Sequence, residues 1–237
     1  MALDVLAIAA HPDDVEITCG GLMIKLADAG KATGVLDLTR GESGTFGTPT
    51  DRLAEAEDAA TIMGLKMREN LALPDSALED KLEYKQQIAT IIRKYKPHMI
   101  ILPYPDQQRH PDHRYASQLG YDSCYLAGLK KTELKGEPHR PHKIIYSVSH
   151  LRITPSFYVD ITEQYDRKIK AVAAYQTQFG DPEKAKVIYR PGQNIFKLLE
   201  IYHRHYGMEA GCRFAETYYI KEPLMVDDPT DLRVRSI

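Results

Sequence analysis

The chain has 237 residues, 43% of them hydrophobic and 27% charged, with a formal net charge of −2. That length supports one large domain with a proper core, and the balanced charge leaves no electrostatic footprint for nucleic acid or an anionic membrane. No apolar run approaches the ~20 residues of a membrane helix, and the three scattered cysteines, Cys19, Cys124 and Cys212, offer neither a disulfide framework nor a CxxC pair.

Residues 5–10 (VLAIAA) are continuously apolar, as a strand buried on both faces would be. The run ends too early for a secretory leader, so a cytoplasmic location is the expectation. His11-Pro12-Asp13-Asp14 follows directly. A helix is predicted over 22–29 with Gly30 as its stop, then a strand over 33–39. Residues 40–50 hold Gly41, Gly44, Gly47 and Pro49 and read as a loop, a candidate lid. A helix over 51–63 ends at Gly64, and a short strand over 67–71 follows. A helix over 83–95 and a strand over 98–102 lead into a loop over 103–111. His110-Pro111-Asp112-His113 spans the end of that loop and the start of a helix through about 126.

The last third is less regular. Strands are predicted over 143–148, 157–161 and 214–220, with helices over 162–177, capped by Thr162, and over 193–206. The βαβα alternation predicts an α/β fold: a doubly wound, mostly parallel sheet with helices on both faces. Residues 131–237 would add a C-terminal α+β extension to a core over 1–130, the whole forming a single domain.

In such a sheet the loops after 5–10 and 98–102 open on one rim, where ligands gather. The two motifs could therefore meet. A catalytic zinc takes three protein ligands and leaves one position open. His11 and Asp14, three apart on a turn, can chelate one ion, and His113 can supply the third ligand. Asp13 is then a candidate general base, and His110 an electrophile or general acid. Asp112 could hold an imidazole in its tautomer. The plain alternatives are helix caps for the aspartates and a polar turn for the second motif.

HPDD and HPDH in these positions resemble the LmbE/PIG-L family of zinc-dependent N-acetylglucosaminyl deacetylases. Leu38 to Thr45 (LTRGESGT) and Arg52 to Gly64 (RLAEAEDAATIMG) resemble the family's second-strand loop and the helix after it. Tyr175 to Phe179 (YQTQF), with Tyr206-Gly207 through Ala215-Glu216, resembles the bacillithiol-biosynthesis branch. The resemblance implies a Rossmann-like fold and one Zn²⁺ per chain; the sequence leaves open the metal used in the cell, where Fe²⁺ could compete. It makes His11, Asp14 and His113 the metal ligands, Asp13 the base, and His110 the group facing the leaving group or oxyanion. It implies a small amino-sugar conjugate as substrate, N-acetylglucosaminyl malate in that branch, and a homo-oligomer, with hexamers known there. Arg52 and Arg109 are candidate substrate-binding residues, with a solvated arginine and a surface ion pair as the plain alternatives.

Two rival readings remain at this point: a two-metal phosphoester hydrolase, and a sugar-binding module that keeps a metal as a staple. Other histidines are set aside. His139 and His142 lie in a proline-rich basic loop, and His203 and His205 are two apart on a helix and cannot chelate together. His150 is read as structural.

Overall fold

The computed structural model describes residues 1–106, 109–148, 151–181 and 194–234. His150 lies outside them. The order is β1 (Val5–Ala9), α1 (Asp14–Thr18), α2 (Gly20–Asp28), β2 (Thr33–Thr39), α3 (Pro49–Met63), β3 (Met67–Leu73), α4 (Leu82–Tyr95), β4 (Met99–Pro103) and α5 (Pro111–Ala127). Then come β5 (Lys143–Ser147), β6 (Phe157–Asp160), α6 (Tyr165–Ala173), α7 (Gln176–Phe179), α8 (Ile195–Ala210) and β7 (Ala215–Tyr219).

Seven strands form one sheet in the order β3-β2-β1-β4-β5-β7-β6. The first five are parallel, and β7 runs antiparallel to both β5 and β6. The expected α/β class and the mostly parallel sheet with helices on both faces are thus present. β1 and β2 are buried at every position, because helices cover both sides of a parallel sheet. Alternation along β1 sends Leu6 and Ile8 to one core with Ile88, Ile92 and Leu119. It sends Val5, Ala7 and Ala9 to the other with Met23, Met63 and Val172.

The chain winds outward from β1 through β2 to β3, then returns to place β4 on the other side of β1. The winding direction reverses between β1 and β4, and a crevice opens beyond their carboxyl ends. The HPDD and HPDH motifs follow those two strands.

Local sequence sets several boundaries. Thr48 and Asp51 form a reciprocal capping box that starts α3 with Pro49 in its first turn; this helix begins two residues earlier than expected. Gly64 closes it in the left-handed region. Two expectations on the chain past β1 and β6 are corrected. The helix predicted over 22–29 begins at Gly20 and is preceded by α1, because the residues from Asp14 to Thr18, at the end of the HPDD turn and beyond it, coil into a short helix. Thr162 does not cap a helix; α6 begins at Tyr165, and the Thr162 hydroxyl accepts the Phe214 N–H instead. The predicted 162–177 helix also breaks after Ala173, and α7 is a separate turn. No helix among the described residues is long and apolar enough to cross a membrane.

Candidate active site

The end of β1 throws Asp13 into a left-handed conformation, φ 105°. A non-glycine residue there is strained by roughly 1–3 kcal/mol, and such strain collects at functional sites. Asp13 occupies the N-cap position of α1, yet its side chain caps nothing. Its carboxylate lies 3.2 Å from Arg52 Nη2, which also donates to the Pro12 carbonyl. The helix-cap alternative for Asp13 therefore fails.

Asp14 turns the other way. Its Oδ2 accepts the His11 N–H at 2.9 Å and lies 3.4 Å from His11 Nδ1. Its Oδ1 lies 3.1 Å from His113 Nε2. The His11 and His113 rings are 5.3 Å apart between centroids. One donor atom from each of His11, Asp14 and His113 falls within 4.8 Å of the others. Tetrahedral zinc with arms of about 2.0–2.2 Å separates its ligand atoms by roughly 3.4 Å, so this set fits a zinc ion with little movement. Two imidazoles and a carboxylate also suit zinc chemically.

The electrostatics agree. Burial favours a neutral His11, but Asp112, Asp14 and Asp75 outweigh it and push its pKa up to about 12. That much carboxylate around one ring is a place for a cation. Asp13 is pushed up to about 7 by burial, against the pull of Arg52, with Asp14 adding to the rise.

His110 is the N-cap of α5, and its Nδ1 accepts the Asp112 N–H at 3.2 Å. Its proton therefore sits on Nε2. Burial and the neighbouring His11 hold its pKa below the usual imidazole value, so it stands as a neutral N–H donor. Its ring centroid is 4.8 Å from that of His11. Asp112 Oδ2 lies 3.5 Å from His11 Nε2, and the same atom accepts the Ser76 N–H at 2.7 Å.

Sequence reasoning missed Asp75. Its Oδ1 lies 3.0 Å from His11 Nε2, closer than Asp112. Its Oδ2 accepts the Ser43 N–H at 2.8 Å, and its own N–H donates to Glu42. It follows β3, on the same rim as the two motifs, and that position was a usable signal. Glu16 and Arg68 were missed too. Arg68 grips Asp37 with two bonds, 2.8 and 3.0 Å, and Glu16 at 2.5 Å, and Tyr175 donates to Glu16 at 3.1 Å. This buried network lies under α1.

Arg52 is buried, only 5% exposed, with its guanidinium against Gly41. In the 40–48 loop, a candidate lid, Gln178 donates to the Phe46 carbonyl at 2.7 Å. Arg109 is exposed on the wall of a cleft of about 990 Å³ that also takes in His11, Asp13, His110, His113 and Arg152.

Residues 6–124 match the PIG-L family, described as GlcNAc-PI de-N-acetylase. A diacetylchitobiose deacetylase of Thermococcus kodakarensis is 32% identical over 90% of this chain and 80% of its own length. The chain belongs to the PIG-L family. This PIG-L chain is accordingly a metal-dependent amidohydrolase of the deacetylase kind. It is also 28% identical to a probable N-acetyl-alpha-D-glucosaminyl L-malate deacetylase 2 of Bacillus subtilis, over 73% of this chain and 82% of that one. The crystal structure of a conserved protein from Thermus thermophilus superposes with a TM-score of 0.85 at 36% identity, covering 94% of this chain and 97% of that one.

Proposed function

We propose that the enzyme uses one zinc ion per chain, held by His11, Asp14 and His113, to remove the acetyl group from an N-acetylglucosaminide. The convergence of those three residues beside an uncapped, strained Asp13 carries this reading. When bound, zinc supplies Lewis-acid polarisation of an amide carbonyl and acidifies water. Asp13 accepts the proton of the attacking water. Nε2–H of His110 donates to the carbonyl oxygen as negative charge builds on it. The proton taken by Asp13 is then available to the departing nitrogen as the C–N bond breaks, so acetate and a free amino sugar leave. Asp112 and Asp75 orient His11 through its second nitrogen, as carboxylates commonly do for metal-ligating histidines.

For the substrate we propose an acidic aglycone, N-acetylglucosaminyl malate in a bacillithiol-type pathway. Arg109 and Arg152 are exposed on the cleft wall and form no ion pair among the described residues, which leaves them available to a dicarboxylate. A homo-oligomer, hexameric in form, and a cytoplasmic location go with this reading. A second reading, a chitobiose-type disaccharide, is favoured by the 32% identity to the Thermococcus enzyme.

A panel of N-acetylglucosaminides assayed for free amine with zinc-loaded enzyme separates the two. Malate is expected to give the higher kcat/KM, and Arg109→Ala should raise KM for malate alone. Faster turnover of diacetylchitobiose, indifferent to Arg109, would replace the malate reading.

A further inference from the structure

Helix α1 carries Asp14 at its start but spans only five residues, Asp14–Thr18. A helix that short cannot hold itself, since most of its backbone groups lack intrahelical partners. Something outside must fix it. On one side the Arg68 and Tyr175 contacts to Glu16 do so. On the other stands a second buried cluster. Lys168 of α6 is fully buried, and its Nζ donates to Glu216 Oε1 at 2.6 Å and to the Ile17 carbonyl of α1 at 2.9 Å. It also lies 3.3 Å from His203 Nε2 on α8.

Glu216 of β7 completes the grip. Its two oxygens accept the N–H groups of Gly21 and Leu22 at 2.8 Å each, at the start of α2, and Oε2 also accepts the Tyr218 hydroxyl at 2.7 Å. A side chain at Gly21 would stand 2.8 Å from Glu216 Oε1, so the glycine permits this approach. One ion pair from the C-terminal third thus bonds the end of α1 and the beginning of α2 together.

We infer that Lys168 and Glu216 are positioning residues for the metal centre: they lock α1 so that Asp14 stays in register with His113. This rests on the proposed reading of His11, Asp14 and His113 as zinc ligands. Neither residue touches the ion or the substrate in this role. Removing one partner of a buried ion pair lowers stability whatever its role, so zinc affinity, which a purely stabilising role leaves unchanged, separates the two.

The test is zinc affinity, measured by competition with a chromophoric chelator on purified, folded protein. Lys168→Met keeps the stem and removes the donors. Ile88→Val, in the core on the opposite sheet face, is the control for general destabilisation. Lys168→Met should bind zinc about 10- to 100-fold more weakly, while Ile88→Val binds as the wild type does. Should Lys168→Met fail to fold, Glu216→Gln, equal in shape, carries the same expectation. Wild-type zinc affinity in the folded variant, with only the melting temperature lowered, would overturn the positioning role alone. Wild-type protein that binds no zinc would overturn the ligand reading and this inference with it.

Discussion

Arg52 Nη2 stands 3.2 Å from the Asp13 carboxylate and donates to the carbonyl of Pro12 next door. The arginine thus fixes both the backbone and the side chain of the turn it faces. Its own place depends on Gly41, since a Cβ there would come within 3.0 Å of Cζ. A residue chosen from the sequence as a substrate grip is first of all a clamp on the proposed base.

Asp13→Asn should leave zinc content at one per chain while kcat falls about 10²- to 10⁴-fold. Asparagine keeps the shape and loses the proton acceptor. Metal analysis and steady-state kinetics on the same preparation check this; unchanged turnover would remove Asp13 from the mechanism.

Gly41→Ala combines a backbone cost with a collision. The position has φ +67°, which costs alanine about 1–3 kcal/mol, and the added methyl group presses on the guanidinium. Stability and kcat should both fall. In a double-mutant cycle with Arg52→Ala the kcat effects should fail to add, because the glycine acts through the arginine.

Asp75→Asn tests the residue that the sequence did not reveal. Weakening the carboxylate on His11 Nε2 should cost about 10- to 100-fold in zinc affinity. Its bond from Ser43 means that the 40–48 loop should loosen as well, seen as faster amide exchange at Ser43.

Arg68→Met leaves Glu16 and Asp37 buried without their counter-charge. Removing one partner of a buried pair costs about 3–5 kcal/mol. Urea unfolding should show a midpoint lowered to match, and a loss below about 1 kcal/mol would refute the network's role.

The legible parts of the chain were those with a local code. β1 and β4 showed as unbroken apolar runs, and Gly30 and Gly64 marked helix ends, because burial pattern and left-handed φ are properties of short segments. The HPDD and HPDH motifs stood out because four chemically matched residues were adjacent in each. Thr162 misled because a threonine before a helical pattern suits a cap, while the fold used its hydroxyl on Phe214 from β7's approach.

The amino-acid order by itself determined the sheet class and singled out His11, Asp14 and His113 as a candidate donor set on one rim. Only the tertiary structure decided that Asp75 joins His11, that Arg52 faces Asp13, and that Lys168 and Glu216 hold α1. Those partners come from strands and helices far apart in the chain. Which buried charges meet depends on strand order and helix packing, and no local pattern records either.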